Sequence, residues 1–377
     1  MIYLDNASTT PVWESAIKAA EEVYRTSFFN PSSTYRDAIS VKMMIRTART
    51  IVAKRLGCPP EELYFTSGAT ECNNWAITCG AKNGKGNIVI SGGEHACVYE
   101  CAKNLKTNKG YDVRISGILP DGTVDADDLI GLIDENTRLV SVIHASNETG
   151  AVNDIAALSK RIKAKNPNVI FHSDGVQAYL KIGNDVRELG VDLYSVSGHK
   201  VGAPKGVGAM YVSSKARLQP FIFGGGQEYG MRSGTENVAG IVAFGVATEE
   251  YLSRFDRDKI LSLRKRFIDE VSKTDGVTVL GNGAETNATI LALSIAGTRA
   301  EIIQSMCSDE DVLIGRGSAC ASRHSGNRVL EAMGLKKKDI DGAIRISFSP
   351  LTTEEEVVTA AKVIARNSLK LRGNNVG

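Results

Sequence analysis

Ser195-Val196-Ser197-Gly198-His199-Lys200 closes an apolar, strand-like run with a lysine. An ammonium near the end of a buried strand is costly unless something uses it. A desolvated lysine with a lowered pKa forms Schiff bases with carbonyls, the aldehyde of pyridoxal phosphate among them. An exposed loop lysine is the ordinary alternative. Ser197 and His199 stand two residues apart, able to point the same way as phosphate hydrogen-bond donors. A second phosphate element is Thr66-Ser67-Gly68-Ala69-Thr70-Glu71, which leaves a strand and enters the helical pattern Asn73–Ile77. Backbone N–H groups and a hydroxyl at a helix N-terminus make an anion site. A plain N-cap role for Ser67 or Thr70 is the competing reading.

His172-Ser173-Asp174-Gly175-Val176-Gln177 ends another strand. The Asp174 carboxylate can stay ionised beside a protonated pyridine nitrogen and keep such a ring an electron sink. Gln177 can hydrogen-bond the ring's phenolic oxygen. A metal at His172 and Asp174 would lack the third ligand that catalytic zinc needs, and Asp174 as a simple helix cap stays open. His95, in Gly92-Gly93-Glu94-His95, can stack on an aromatic cofactor and move protons near neutral pH. Asn147 sits at a strand end as a polar ligand contact or a turn residue. Cys320 lies in Gly315-Arg316-Gly317-Ser318-Ala319-Cys320, with Arg323 and His324 close behind. Positive neighbours raise a thiolate fraction, so this cysteine is the candidate nucleophile. Cys58, Cys72, Cys79 and Cys307 read as packing residues. Cys97 and Cys101, at i and i+4, read as helix packing too.

The elements that must hold these residues are an α/β set. Helical patterns run over Trp13–Phe28 and Tyr35–Leu56, the second ended by Gly57 and Pro59–Pro60. Strand-like runs follow at Leu63–Thr66, Asn87–Ile90, Leu139–His144, Val169–His172, Leu193–Val196 and Val207–Val212, with helical patterns such as Ile155–Lys165 between them. That alternation predicts a mostly parallel sheet buried on both faces. After the glycine-rich stretch Gly224–Gly226 the chain reads as helical from about Thr235 to Lys273. A smaller set follows: strand Ala288–Ile295, helix Ala300–Ser308, strand Ala343–Phe348, and a last helix opened by the capping pattern Thr352…Glu355. The expected division is a large domain over 15–255 and a small one formed by 1–14 and 256–377.

Composition bounds the rest. The chain has 377 residues, 42% hydrophobic and 23% charged, values ordinary for a globular protein and wrong for a disordered one. No apolar run approaches the ~18 residues that span a bilayer, and no signal-peptide pattern opens the chain. The net charge of +2, without a basic face, argues against direct nucleic-acid binding. Lys336–Lys338 reads as a solvated turn. Seven cysteines suit reduced thiols and a cytoplasmic setting rather than a disulfide framework. The 37 glycines, about a tenth of the chain against a usual ~7%, suit a backbone that approaches a ligand.

Together the motifs resemble the cysteine desulfurase family of class V, fold-type I pyridoxal-phosphate enzymes. The matching segments run in order from Tyr3-Leu-Asp-Asn-Ala-Ser-Thr-Thr-Pro11 and Asn30-Pro-Ser-Ser33 through Thr66–Glu71, Glu94-His95, Asn147-Glu148, Asp174…Gln177 and Ser197–Lys200. They continue with Gly224-Gly-Gly-Gln-Glu228, Arg232-Ser-Gly-Thr-Glu-Asn237, Gly317-Ser-Ala-Cys320 and Ile344-Arg-Ile-Ser347. The resemblance implies a large mostly parallel-sheet domain with a smaller C-terminal α/β domain, and pyridoxal 5'-phosphate as cofactor. Lys200 would hold it as a Schiff base, Asp174 would pair with the pyridinium, and His95 would stack on the ring. Gln177 would meet the phenolic oxygen. Thr70, Ser197 and His199 would bind the phosphate, joined by Thr235 from the partner subunit of a homodimer. Ala69 and Asn147 would also contact the cofactor. Asn147 and Arg345 would hold the substrate carboxylate.

The implied reaction converts L-cysteine to L-alanine, with Lys200 and His95 as proton carriers and the sulfur taken as a persulfide on Cys320. It is then passed to an acceptor protein for iron–sulfur cluster assembly, tRNA thiolation or DNA phosphorothioation. The chain departs from the family at Ser146, where a second asparagine is usual, at Tyr35, where histidine is commoner, and in the basic stretch Ala321–Arg328. Another pyridoxal-phosphate enzyme, such as an aminotransferase or a selenocysteine-specific lyase, is the alternative activity. A non-catalytic scaffold would be expected to lose Lys200 or Cys320.

Overall fold

The computed structural model describes residues 1–81, 86–281, 283, 285–317 and 327–374, with the side chains of 373 and 374 excepted. Cys320 and its neighbours from 318 to 326 lie outside the described residues. Twelve strands occur among the described residues: β1 Ile2–Leu4, β2 Leu63–Thr66, β3 Asn87–Ser91, β4 Asp112–Ser116, β5 Thr137–Ser141, β6 Ile170–Asp174, β7 Leu193–Ser197, β8 Gly208–Val212, β9 Val277–Leu280, β10 Ile290–Ile295, β11 Val312–Arg316 and β12 Ala343–Ser347.

Seven of them form one sheet in the order β2-β8-β7-β6-β5-β3-β4. The pairs from β7 to β4 are parallel, and only β8 runs against its two neighbours. β2 therefore points the same way as β7, and all the parallel C-terminal ends meet along one edge. Every residue of β3, β6, β7 and β8 is buried, as a sheet covered on both faces requires. Alternate side chains take opposite faces. Val89, Val140, Phe171 and Tyr194 join one core with the helices Glu14–Thr26, Arg36–Leu56 and Val238–Arg254. Ile88, Ile90, Leu139 and Leu193 join the other with Trp75 of Ala69–Gly80 and Val98 of Ala96–Lys109.

The remaining strands make a second sheet, β1-β11-β12-β10-β9, parallel only between β1 and β11. It carries its own core against Arg257–Val271, Ala300–Ser308 and Glu354–Asn374. The chain's first residues stitch the two sheets together. Asp5 bridges to Ser347 of β12, while Thr10 donates through N–H and hydroxyl to the carbonyl of His199 beyond β7. Trp13 Nε1 donates to Val201 O at 2.9 Å.

Several expectations shift. The helical stretch from Thr235 breaks at Phe255, where Asp256 caps a new helix with its carboxylate on two backbone N–H groups. The last helix is opened by Thr353 and Glu356, one residue beyond the expected pair: Thr353 N donates to Glu356 Oε2 at 2.9 Å and Glu356 N to Thr353 Oγ1 at 3.2 Å. Lys336–Lys338 enters a short helix, Lys337–Asp341, with its charges exposed. Among the described residues no helix is long and apolar enough to cross a membrane.

Candidate active site

Open parallel sheets bind ligands outside the carboxyl ends of their strands. A cavity of about 1170 Å³ lies there, and Ala69, Thr70, His95, Asn147, Asp174, Gln177, Ser197, His199, Lys200 and Arg345 all line it. Thr235 does not; it is exposed, on the loop between Gly224 and the helix Val238–Arg254. The expected nucleophile Cys320 lies outside the described residues.

One end of the cavity is built for an anion. Gly68, at φ +151°, turns the chain from β2 into the helix Ala69–Gly80, whose first N–H groups have no acceptor within the helix. Close approach also demands glycine across the sheet: a Cβ on Gly208 would lie 2.7 Å from Gly68 Cα. Neither Ser67 nor Thr70 caps this helix by its side chain. Ser67 instead gives its N–H and hydroxyl to Glu71 Oε2 at 2.9 and 2.6 Å. Glu71 also takes Arg232 at 2.8 Å, tying the Thr235 loop to this helix start. Burial raises the Glu71 pKa, but Arg232 and Ser67 outweigh it and hold the carboxyl below its ordinary value. Opposite, the His199 pKa is pushed down to about 3 by burial and then by Lys200, Lys205 and Lys181, so the ring is neutral. Its Nδ1 lies 3.1 Å from Thr9 Oγ1.

Lys200 ends the tight turn Gly198–Lys200 and donates to Ala7 O at 2.7 Å and Ser8 O at 2.5 Å. Asp174 ends β6, almost wholly buried, and accepts Asn73 Nδ2 at 2.7 Å and Val176 N at 3.0 Å. It heads a turn, not the helix that a capping role would need. Gln177 donates to Ala7 O at 2.9 Å. Its carbonyl oxygen takes the ammonium of Lys181 at 3.1 Å. Lys181 escaped the sequence reading, although its i+4 spacing from Gln177 within an apolar run was visible. Burial, with Lys200 adding to it, pushes its pKa down to about 7.

His95 caps the helix Ala96–Lys109, its Nδ1 accepting Cys97 N at 3.2 Å with the Cys97 sulfur 3.0 Å away. The Cys97 thiol thus faces the cavity as well as the helix packing expected of it. Glu94 beside it is fully buried; burial and then Asp174 push its pKa up to about 8. On the second sheet, Arg345 donates to Asn147 O at 2.8 Å and Asp5 Oδ1 at 2.9 Å. Its Nε is buried without a protein partner among the described residues, a donor suited to a carboxylate. The return from the Cys320 segment is anchored here as well. Asn327 donates to Glu148 Oε2 at 3.1 Å, and Arg328 donates to the carbonyls of Gly92 and Glu94 while lying 4.2 Å from the Tyr99 ring centre. Glu148 enters the sequence reading only within the Asn147-Glu148 match and Arg328 only at the end of the basic stretch Ala321–Arg328, neither as a site residue.

The polar set fits a flat, phosphorylated, nitrogen-bearing ring. It offers an anion cradle, a buried carboxylate, an imidazole and an amine within one cavity.

Residues 2–359 match the family described as aminotransferase class-V. The cysteine desulfurase IscS of Dictyoglomus turgidum is 37% identical over 379 residues, covering 98% of this chain and 95% of the relative. Among solved structures, a NifS-like protein superposes with a TM-score of 0.90 at 33% identity, covering 97% of this chain and 98% of its own. SspA, solved in complex with cysteine, superposes with a TM-score of 0.83 at 31% identity, over 94% of this chain and 100% of its own.

Proposed function

Because the chain belongs to the class-V aminotransferase family and to its cysteine desulfurases, we propose that it takes sulfur from L-cysteine, releases L-alanine and carries the sulfur on Cys320. The reading rests on one observation: Lys200, Asp174, His95 and Arg345 line a single cavity at the carboxyl edge of the large sheet.

Lys200, Asp174, His95, Gln177, Ala69, Thr70, Ser197, His199 and Asn147 would hold pyridoxal 5'-phosphate, which when bound would supply the electron sink for charge at the substrate Cα. Arg345 Nε and Asn147 bind the substrate carboxylate and orient the amino acid. Lys200 takes the Cα proton and, with His95, returns protons during alanine formation. Cys320, as a thiolate, attacks the substrate sulfur; the Cβ–S bond breaks as the S–S bond of the persulfide forms. The terminal sulfur then passes to an acceptor protein, in iron–sulfur cluster assembly, tRNA thiolation or DNA phosphorothioation. Thr235, exposed and outside its own cavity, completes the phosphate site of the partner in a homodimer. Residues 15–255 form the cofactor domain, and 1–14 with 256–377 the smaller one. The setting is the cytoplasm, where thiols stay reduced.

Purified protein given L-cysteine and dithiothreitol should release alanine and sulfide in equal amounts. Formation of pyruvate in place of alanine, or no alanine at all, would overturn the reading.

A further inference from the structure

Cys97 has no part in the reaction as derived above, yet its sulfur touches two polar residues of the cavity. Asn73 Nδ2 lies 3.1 Å from the sulfur and His95 Nδ1 3.0 Å from it. We propose that Cys97 is a positioning residue that fixes neutral His95 as the tautomer carrying its proton on Nε2.

The directions of the hydrogen bonds carry the argument. His95 Nδ1 accepts the Cys97 backbone N–H at 3.2 Å, and a nitrogen that accepts cannot hold the ring proton. That single bond would be made by almost any residue at this helix start. The thiol adds a second bond to the same atom. Asn73 is wholly buried and spends one amide N–H on Asp174 Oδ2 at 2.7 Å, which leaves the other to donate to the Cys97 sulfur. With Asn73 as donor to sulfur, the S–H is left to donate to Nδ1. The chain Asn73 to Cys97 to His95 therefore runs one way, starting from the amide that Asp174 anchors. Burial, followed by Asp174, pushes the thiol up to about 12, so the S–H proton stays in place.

Two consequences follow for the imidazole. Its Nε2–H has no hydrogen-bond partner among the described residues, so a neutral His95 gives a proton before it takes one. Protonation at Nδ1 must displace both the thiol and the backbone N–H, which opposes the charged ring. Burial acts in the same direction and is the largest influence on this group. The charges facing it divide: Asp174 and Glu148 favour protonation, and Lys200 and Arg328 oppose it. Glu94 precedes it in the chain, fully buried, its pKa raised to about 8 by burial and then by Asp174. The tautomer stands on hydrogen-bond geometry; only its use in proton transfer rests on the desulfurase reading.

Full-length protein labelled with [15N]histidine has five imidazoles, and the His95→Gln variant identifies the one that matters. Two-bond 1H–15N correlation spectra across pH 5–9 report which nitrogen holds the proton. The wild type should show Nδ1 as an unprotonated acceptor and Nε2 protonated. Cys97→Ser should keep that pattern, because its hydroxyl keeps the donor. Cys97→Ala leaves Nδ1 only the backbone N–H, so the Nδ1–H form should appear beside the Nε2–H form and the His95 pKa should rise by about one, a tenfold gain in proton affinity. Cys97→Val, which fills the space without a donor, should match Cys97→Ala and stands in if that variant fails to fold. A protonated Nδ1 in the wild type, or wild-type spectra and titration in both donor-free variants, would overturn the proposal. A wild-type protein that forms no alanine yet shows the expected nitrogen pattern would strike the desulfurase reading and leave this one standing.

Discussion

Lys200→Ala is expected to cut alanine formation by about 10⁴-fold and to abolish the yellow colour of a bound pyridoxal Schiff base. The loss should be chemical rather than structural. The ammonium donates to the carbonyls of Ala7 and Ser8 at the edge of an open cavity, where water can replace it. The stability cost should therefore stay near 1 kcal/mol. Lys181, the buried lysine nearby, donates to Gln177 Oε1 at 3.1 Å and does not line the cavity. Absorbance spectra and alanine assays check both halves, and a colourless variant with wild-type turnover would remove Lys200 from the reaction.

The largest stability loss is expected at Arg49 and Glu228, which do not line the cavity. Their side chains are 6% and 3% exposed and meet through two bonds of 2.7 Å each. Arg49 also donates to Leu63 O at 2.6 Å, and Glu228 takes Phe65 N at 2.8 Å, so the pair clamps β2. Glu228 and Tyr229 hold left-handed backbone, φ +46° and +56°, which the pair must keep in place. Glu228→Ala leaves a guanidinium buried without its counter-charge and should cost about 3–5 kcal/mol. The same loop carries Thr235, so cofactor should also be held more weakly. Replacing both, Arg49→Met with Glu228→Leu, should recover roughly half of the loss, because no charge is then stranded. Denaturant midpoints and cofactor retention read the two effects; an unchanged midpoint in Glu228→Ala would contradict the argument.

Much of this architecture can be read from local pattern. Ile155–Lys165 and Ala300–Ser308 match the expected helices to the residue, because their apolar positions recur at helical spacing between clear ends. The run Leu139–His144 misleads by a few residues. The strand is Thr137–Ser141, and Val142, Ile143 and Ala145 beyond it are apolar because that segment is buried beside the cavity. β1, β4, β9 and β11 were not visible, since short strands with half-exposed residues owe their existence to distant partners, as Ile2–Leu4 does to Val312–Ile314. The site divides the same way. Lys200, Asp174 and His95 stand at strand ends within informative motifs. Lys181 and Glu148 look like ordinary charged residues until folding buries them, Arg328 until folding brings it to the carbonyls of Gly92 and Glu94, and Cys97 looks like packing until the turn at His95 brings its sulfur to the ring.

The central claim is that sulfur leaves cysteine onto Cys320. Wild type and Cys320→Ser should each be given L-cysteine without reductant, then alkylated, with alanine counted and every cysteine-bearing peptide weighed. The account predicts alanine together with one extra sulfur on the Cys320 peptide in the wild type. It predicts alanine reduced by at least about 100-fold, and no persulfide, in Cys320→Ser. Equal alanine from both proteins, or the extra sulfur on another cysteine, would contradict it.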